Sequence, residues 1–253
     1  MSEPILLKLG GSVVTEKRSG GGIDRAAVGA IAAALAEAEF AGMVVHGAGS
    51  CGHPEAHRYG LARGADRSTR TGIPVTHEAV ASLNRAVVAG LRGAGLDAVG
   101  VQPLGACTAE DGRIASFEQE PLGLLIGLGC VPVLHGDVVM DRRRGACIVS
   151  GDQLVAYLAP RLGLSRVGLL TDVPGVLRPD GTVLPRVSRA GVEGLALGAS
   201  GSTDVTGGMS GKVAELLRLA DAGVASHVFG RDRLADFLAG RPHGGTEVVP
   251  EGA

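Results

Sequence analysis

Residues 44–61, VVHGAGSCGHPEAHRYGL, combine a glycine cluster with two histidines, and the combination fits three chemistries. Gly47, Gly49 and Gly52 spell G-x-G-x-x-G, a loop that lets the backbone approach a dinucleotide pyrophosphate. His53 and His57 stand four apart, which on a helix would let two imidazoles share a metal. The same loop could instead grip a phosphate, with a histidine beside it. Lysine usage bears on the choice. Of 24 basic residues only three are lysine, and each lies beside a glycine-rich segment or a T-x-K: Lys8 in KLGGS, Lys17 in TEK and Lys212 in GGMSGK. Lysine is a compact charge on a long stem that can follow a moving phosphoryl group, whereas arginine favours fixed bidentate contacts. A chain that uses arginine elsewhere but lysine here is consistent with phosphoryl transfer.

The two rival chemistries fail on detail. A dinucleotide fold needs an acidic residue closing the next strand; Asp66 is at the right distance, but it lies in GLARGADRSTRTG, which is too polar for a strand. HPEAH is not H-E-x-x-H, because Pro54 occupies the place of the catalytic glutamate. Proline directly after His53 predicts that a helix starts there, so His53 would face whatever the loop binds. TGGMSGKV is not a Walker A loop either, since Thr206 replaces its first glycine and Val213 its magnesium-binding hydroxyl.

These segments need a frame. Ile5 to Leu9, Met43 to His46, Ala98 to Val101, Val131 to Leu134, Cys147 to Val149, Val167 to Leu170 and Ala225 to Phe229 read as short, mostly buried strands. Between them lie helical patterns: Asp24 caps one running to about Glu39, and Thr76 caps His77 to Leu91. Others cover Pro121 to Leu128, Asp152 to Leu162 and Lys212 to Ala222. Alternation of this kind predicts an α/β, three-layer αβα sandwich with a mainly parallel central sheet. Ligands in such folds sit at the carboxyl ends of strands, where LGGS, GAGSCG, SGD and TGGMSGK all fall. We read one domain over 1–253, with an acceptor-binding half to residue 150 and a nucleotide-binding half over 151–253.

Composition narrows the class. At 45% hydrophobic, 20% charged and net charge −2, the chain is globular, and its one basic run, Arg142 to Arg144, reads as a solvated turn rather than a nucleic-acid surface. The four cysteines show no C-x-x-C, and the apolar stretch Gly123 to Leu134 is too short to span a bilayer. A cytoplasmic protein, without membrane or nucleic-acid partners and without a protein-held metal, is the expectation.

KLGGSVVTEK, VVHGAGSCGHPEAHRYGL, VPVLHGDVVMD, IVSGDQLVAYLA, LLTDVPGV and DVTGGMSGKV together resemble isopentenyl phosphate kinases of the amino-acid kinase superfamily, from Ile5 to about Leu219. The resemblance implies a homodimer that phosphorylates isopentenyl phosphate, a prenyl phosphate, to isopentenyl diphosphate with ATP and Mg²⁺. It implies that Lys8 and Lys212 hold the transferring phosphoryl group, Lys17 stabilises the transition state and Asp152 orients the two lysines. Gly10, Gly11, Ser12 and Gly49 would line the ATP phosphates. Ala48, Gly49, His53 and Gly151 would bracket the acceptor phosphate, while Asp172, Gly175 and Gly208 frame the nucleotide. Cys51, where the family usually has an aromatic residue, bears on the substrate's organic end, and Pro174 on the nucleotide loop. With 2% aromatic residues the prenyl pocket must be aliphatic, drawn from His77 to Leu91 and Ile114 to Leu125. The same loops would suit a fosfomycin-type phosphonate kinase. A non-catalytic nucleotide or anion binder of this fold would not need the transfer lysines.

Overall fold

A computed structural model describes residues 3–16, 22–194 and 207–252. In chain order the first elements are β1 (Ile5–Leu9), α1 (Gly11–Val14), α2 (Arg25–Glu37), β2 (Gly42–His46), α3 (Gly49–Arg58) and α4 (Gly72–Gly93). Next come β3 (Ala98–Gly100), α5 (Pro103–Ala106), β4 (Cys107–Glu110), β5 (Arg113–Phe117), α6 (Glu120–Gly127) and β6 (Val131–His135). Then follow β7 (Asp137–Asp141), β8 (Gly145–Val149), α7 (Gly151–Arg161), β9 (Arg166–Thr171), β10 (Arg186–Val187) and α8 (Arg189–Gly194). The chain closes with α9 (Gly207–Asp221), β11 (Ser226–Gly230), α10 (Leu234–Leu238) and β12 (Thr246–Val248).

The central sheet runs β10-β12-β11-β9-β1-β2-β6-β3, and only the β11–β12 pairing is antiparallel among its described ladders. Strand alternation sorts β1 between two cores. Ile5, Leu7 and Leu9 join α2, α4 and α10 on one face, while Leu6 packs with α7, α9 and the hairpins on the other. Lys8 shares the face of Leu6, which directs it under α7 and α9. The α/β layered architecture is therefore as the sequence predicts.

A second sheet, β5-β4-β7-β8, was not legible as such. Of its strands only Cys147 to Val149 is legible, and it joins this sheet rather than the central one; β4 and β5 are short and mixed in burial, so no continuous apolar run marks them. Two helix starts also differ from expectation. Helix α4 begins at Gly72 rather than after Thr76, because Pro74 falls in its first turn, where no N–H partner is needed. Helix α3 begins at Gly49, whose φ of +53° turns the chain straight out of β2, so Pro54 lies inside the helix and His53 in its second turn. Proline there costs only the bond that the Ser50 carbonyl would accept, next to a first turn already loosened to 3.2–3.3 Å. Asp24 does cap α2, accepting from Ala27 N–H at 2.9 Å. Among the described residues no helix is long and apolar enough to cross a membrane.

Candidate active site

The glycine-ended strands deliver their loops to one cleft of about 1060 Å³. Lys8, from the middle of β1, is buried and places Nζ 2.9 Å from Asp152 Oδ1 in the first turn of α7. Lys212, from the second turn of α9, reaches the same carboxylate at 3.4 and 3.5 Å. Ser150 makes this possible by capping α7, accepting from Gln153 N–H at 3.1 Å, so that Asp152 follows immediately at the helix N-terminus. Burial alone would raise the Asp152 pKa, but the Lys8 and Lys212 ammoniums outweigh it and hold it below the usual carboxylate range. Lys212 moves down to about 8, chiefly by burial and then by Lys8, against the pull of Asp152. The result is one carboxylate shared by two ammoniums in a largely dry pocket. Such a group is short of negative charge and suited to an anion.

Opposite this triad two loops meet backbone to backbone. A Cβ on Gly11 would fall far inside contact distance of the Gly49 amide nitrogen, so both positions must be glycine for the loops to touch. Thr15 staples them: its Oγ1 donates to Gly11 O at 2.8 Å and accepts from Ser50 N–H at 3.2 Å. Gly10 N–H is held by Leu170 O at 2.8 Å, which ties the loop after β1 to the end of β9. Gly10, Gly11, Ser12, Ala48, Gly49, His53, Gly151, Asp172 and Gly175 all line the cleft together with Lys8, Asp152 and Lys212. Lys17 lies outside the described residues. Gly208 is in the first turn of α9, next to the cleft-lining Met209. Exposed His53 lines the cleft; His57, one turn on, is exposed and does not.

The apolar wall comes from Ala56 on α3, Thr76 and Val80 on α4, and Ile148 on β8. Of the two segments expected to supply it, α4 contributes and residues 114–125 do not. Cys51 is also placed differently from the sequence expectation: it packs against the core that holds Val13 and Val14, and the cleft is lined instead by its neighbours Ser50 and Gly52. Pro174 stays off the lining while Val173 and Gly175 form it.

Several wall residues were not anticipated. Asp137, in the HGD segment, accepts from His77 Nδ1 at 2.9 Å and from the Val138 and Leu104 amides, and burial raises its pKa to about 6. Gln153 and Glu215 flank Asp152 and Lys212 along their helices. Their signal was position alone: each sits within one turn of a residue already singled out.

A second cluster of possible ligands, His227, His243 and Glu247, groups its donor atoms within 4.8 Å on β11, β12 and the loop between them. Gly245 N–H donates to His243 Nδ1 at 3.1 Å, which puts the ring proton on Nε2, 3.0 Å from His227 Nδ1. This is a hydrogen-bond chain whose Nε2 is already protonated, not a set of free lone pairs.

Residues 3–230 match the amino acid kinase family. The chain is 44% identical over 242 residues to an isopentenyl phosphate kinase of Haloferax volcanii, covering 95% of this chain and 96% of that protein. It is 40% identical to the isopentenyl phosphate kinase of Methanothermobacter thermautotrophicus, with 88% and 90% covered. A crystal structure of an isopentenyl phosphate kinase superposes with a TM-score of 0.84 at 35% identity, covering 96% of this chain and 99% of that one.

Proposed function

The chain belongs to the amino acid kinase family, among its isopentenyl phosphate kinases, and we propose that it transfers the γ-phosphoryl group of ATP to isopentenyl phosphate, forming isopentenyl diphosphate. The observation that carries the reading is the Lys8–Asp152–Lys212 triad, set across one cleft from the stapled glycine loops. Phosphoryl transfer through a loose transition state needs alignment and positive charge more than a base, and the acceptor phosphate oxygen is already a nucleophile. Lys8 and Lys212 hold the moving group from two sides, and Asp152 fixes both ammoniums. Lys17 adds charge to the transition state. Gly11, Ser12 and Gly49 offer N–H groups to the ATP phosphates, Gly10 lines them with its own N–H held by Leu170 O, and Asp172, Gly175 and Gly208 frame the nucleotide.

Ala48, Gly49, Gly151 and His53 bracket the acceptor phosphate. His53 is one turn into α3, and its charged form would donate to the acceptor oxygen. The organic tail then lies along Ala56, Val80 and Ile148. Mg²⁺ fits as a passenger on the ATP phosphates. Asp152 is committed to two ammoniums, Glu215 to two guanidiniums and Asp137 to His77 and two amides, so these three carboxylates are not left to build a cage. The metal supplies charge neutralisation there; the chain supplies position.

The reading extends to a cytoplasmic homodimer of one domain whose first 150 residues bind acceptor and whose remainder binds nucleotide. The four free cysteines and the use of ATP support the compartment, and the assembly is what the family resemblance implies. The test is to offer ATP-Mg²⁺ with isopentenyl, dimethylallyl and geranyl phosphate, fosfomycin and free isopentenol. A prenyl monophosphate should be the best acceptor and the alcohol inert; a higher kcat/KM for fosfomycin would move the assignment to a phosphonate kinase.

A further inference from the structure

The β4–β5 hairpin turns on Asp111 and Gly112, and its tip touches both helices that carry the Asp152–Lys212 pair. Gln153, next to Asp152 on α7, donates from Nε2 to Gly112 O at 3.4 Å. Arg113 forms a two-pronged pair with Glu215 on α9, at 2.5 and 2.9 Å. The tip is itself fixed, because the buried Asp141 carboxylate accepts from the Asp111 and Gly112 amides at 3.2 and 2.7 Å. A rigid turn thus presents one guanidinium to one carboxylate.

Glu215 stands three residues beyond Lys212 on the same face of α9, and both side chains line the cleft. Side chains at this spacing are neighbours, about 5–6 Å apart at Cβ, and opposite charges attract. In a poorly solvated wall that attraction grows. Glu215 is therefore a competitor of Asp152 for the Lys212 ammonium unless something occupies it. Both arginines are half-exposed, but Arg218 contacts it at 2.9 Å through one nitrogen, whereas Arg113 engages both oxygens.

We propose that Arg113 is a positioning residue for Lys212, holding the Glu215 carboxylate off the ammonium so that Lys212 stays with Asp152 and the transferring phosphoryl group. This rests on the kinase reading above. Lys8 and Asp152 act on the Lys212 ammonium directly, and among the described residues of α9 Glu215 is the carboxylate one turn from it that could draw it away from the triad.

The test compares Arg113→Ala, Arg113→Lys, Glu215→Ala and the double variant Arg113→Ala/Glu215→Ala, all normalised to folded protein. Two readouts are used: steady-state kinetics with ATP-Mg²⁺ and isopentenyl phosphate, and NMR titration of Lys212 in protein labelled at lysine Cε, which needs no substrate. With three lysines in the chain the Lys212 signal is resolvable by comparison with Lys212→Met. Arg113→Ala should lower kcat about tenfold with acceptor KM within about twofold, and raise the Lys212 titration midpoint by about one unit. The double variant should return the midpoint and recover at least half of kcat, because the stray carboxylate is gone. Arg113→Lys, with one prong, should fall between and serves if the alanine variant does not fold. A clamp that merely held α9 in place would predict the reverse, with the double variant no better than the single. That outcome, or an unmoved Lys212 midpoint in Arg113→Ala, overturns the proposal. Absent turnover of isopentenyl phosphate by the wild-type protein would sink the activity reading, while the titration would still decide the role of Arg113.

Discussion

Lys8 and Lys212 can be exchanged for arginine without changing charge, and the geometry says that charge is not enough. Both ammoniums converge on Asp152 at 2.9 and 3.4 Å, a spacing set for a point charge. A guanidinium is planar and longer, and would take Asp152 in a fork rather than share it. Lys8→Arg and Lys212→Arg should each lose activity on the order of a hundredfold, since misplacement by about 1 Å can cost that much. Near-normal kcat in either would make the lysine pattern accidental. His53 and His57 provide a second comparison, because both are exposed on α3 but only His53 lines the cleft. His53→Ala should raise acceptor KM and lower kcat by roughly tenfold or more while ATP affinity holds; His57→Ala should stay within about twofold of wild type. Weakened ATP binding with an unaffected acceptor would assign the loop to the nucleotide. The lysines and His53 were legible because each is a rare residue in a glycine setting. Thr15 and Glu215 were not, since a threonine or glutamate announces its role only through the partner that the fold brings to it.

At the scale of elements, the strand ends and glycine loops were readable because buried parallel strands are continuous apolar runs and glycine marks where they stop. The second sheet was not legible as a separate sheet, although its Cys147–Val149 strand was and a turn signal was present. Asp111-Gly112 is a hairpin dipeptide, and both residues adopt positive φ, 52° and 81°, as a type I′ turn requires. Its flanks, CTAE and RIASF, alternate too weakly to be noticed without it. Meeting of the loops after β1 and β2 was equally hidden, because it depends on a contact between glycines far apart in sequence. Gly11→Ala is the test of that contact. The added methyl has the Gly49 backbone in its way, so the two loops must part, and Thr15 can no longer bridge them at its present distances. ATP and acceptor KM should rise together by about tenfold or more, with circular dichroism unchanged. An effect on one substrate alone would show that the loops move independently.

Across the whole molecule, folding places Lys212 where its proton is hard to keep, and ligand binding reverses this. Burial lowers its pKa from an ordinary 10.5 to about 8. Between those values the unfolded chain binds the proton and the folded chain does not, so this group's contribution to stability rises as pH climbs from about 8 to 10.5. A bound phosphate acts in the opposite sense. It favours the charged ammonium, so below pH 8 the site is ready, and above it binding must take up a proton from solution. Affinity for ADP, read by titration calorimetry, should therefore hold nearly constant up to about pH 8 and then weaken by up to about tenfold per unit. The gain in Tm on adding ADP should shrink over the same range even though the ligand-free protein gains stability from this group. Lys212→Met removes the proton and should flatten both trends, whatever affinity remains. If wild-type affinity stays level from pH 7 to 9.5, Lys212 is not the group that meets the phosphate.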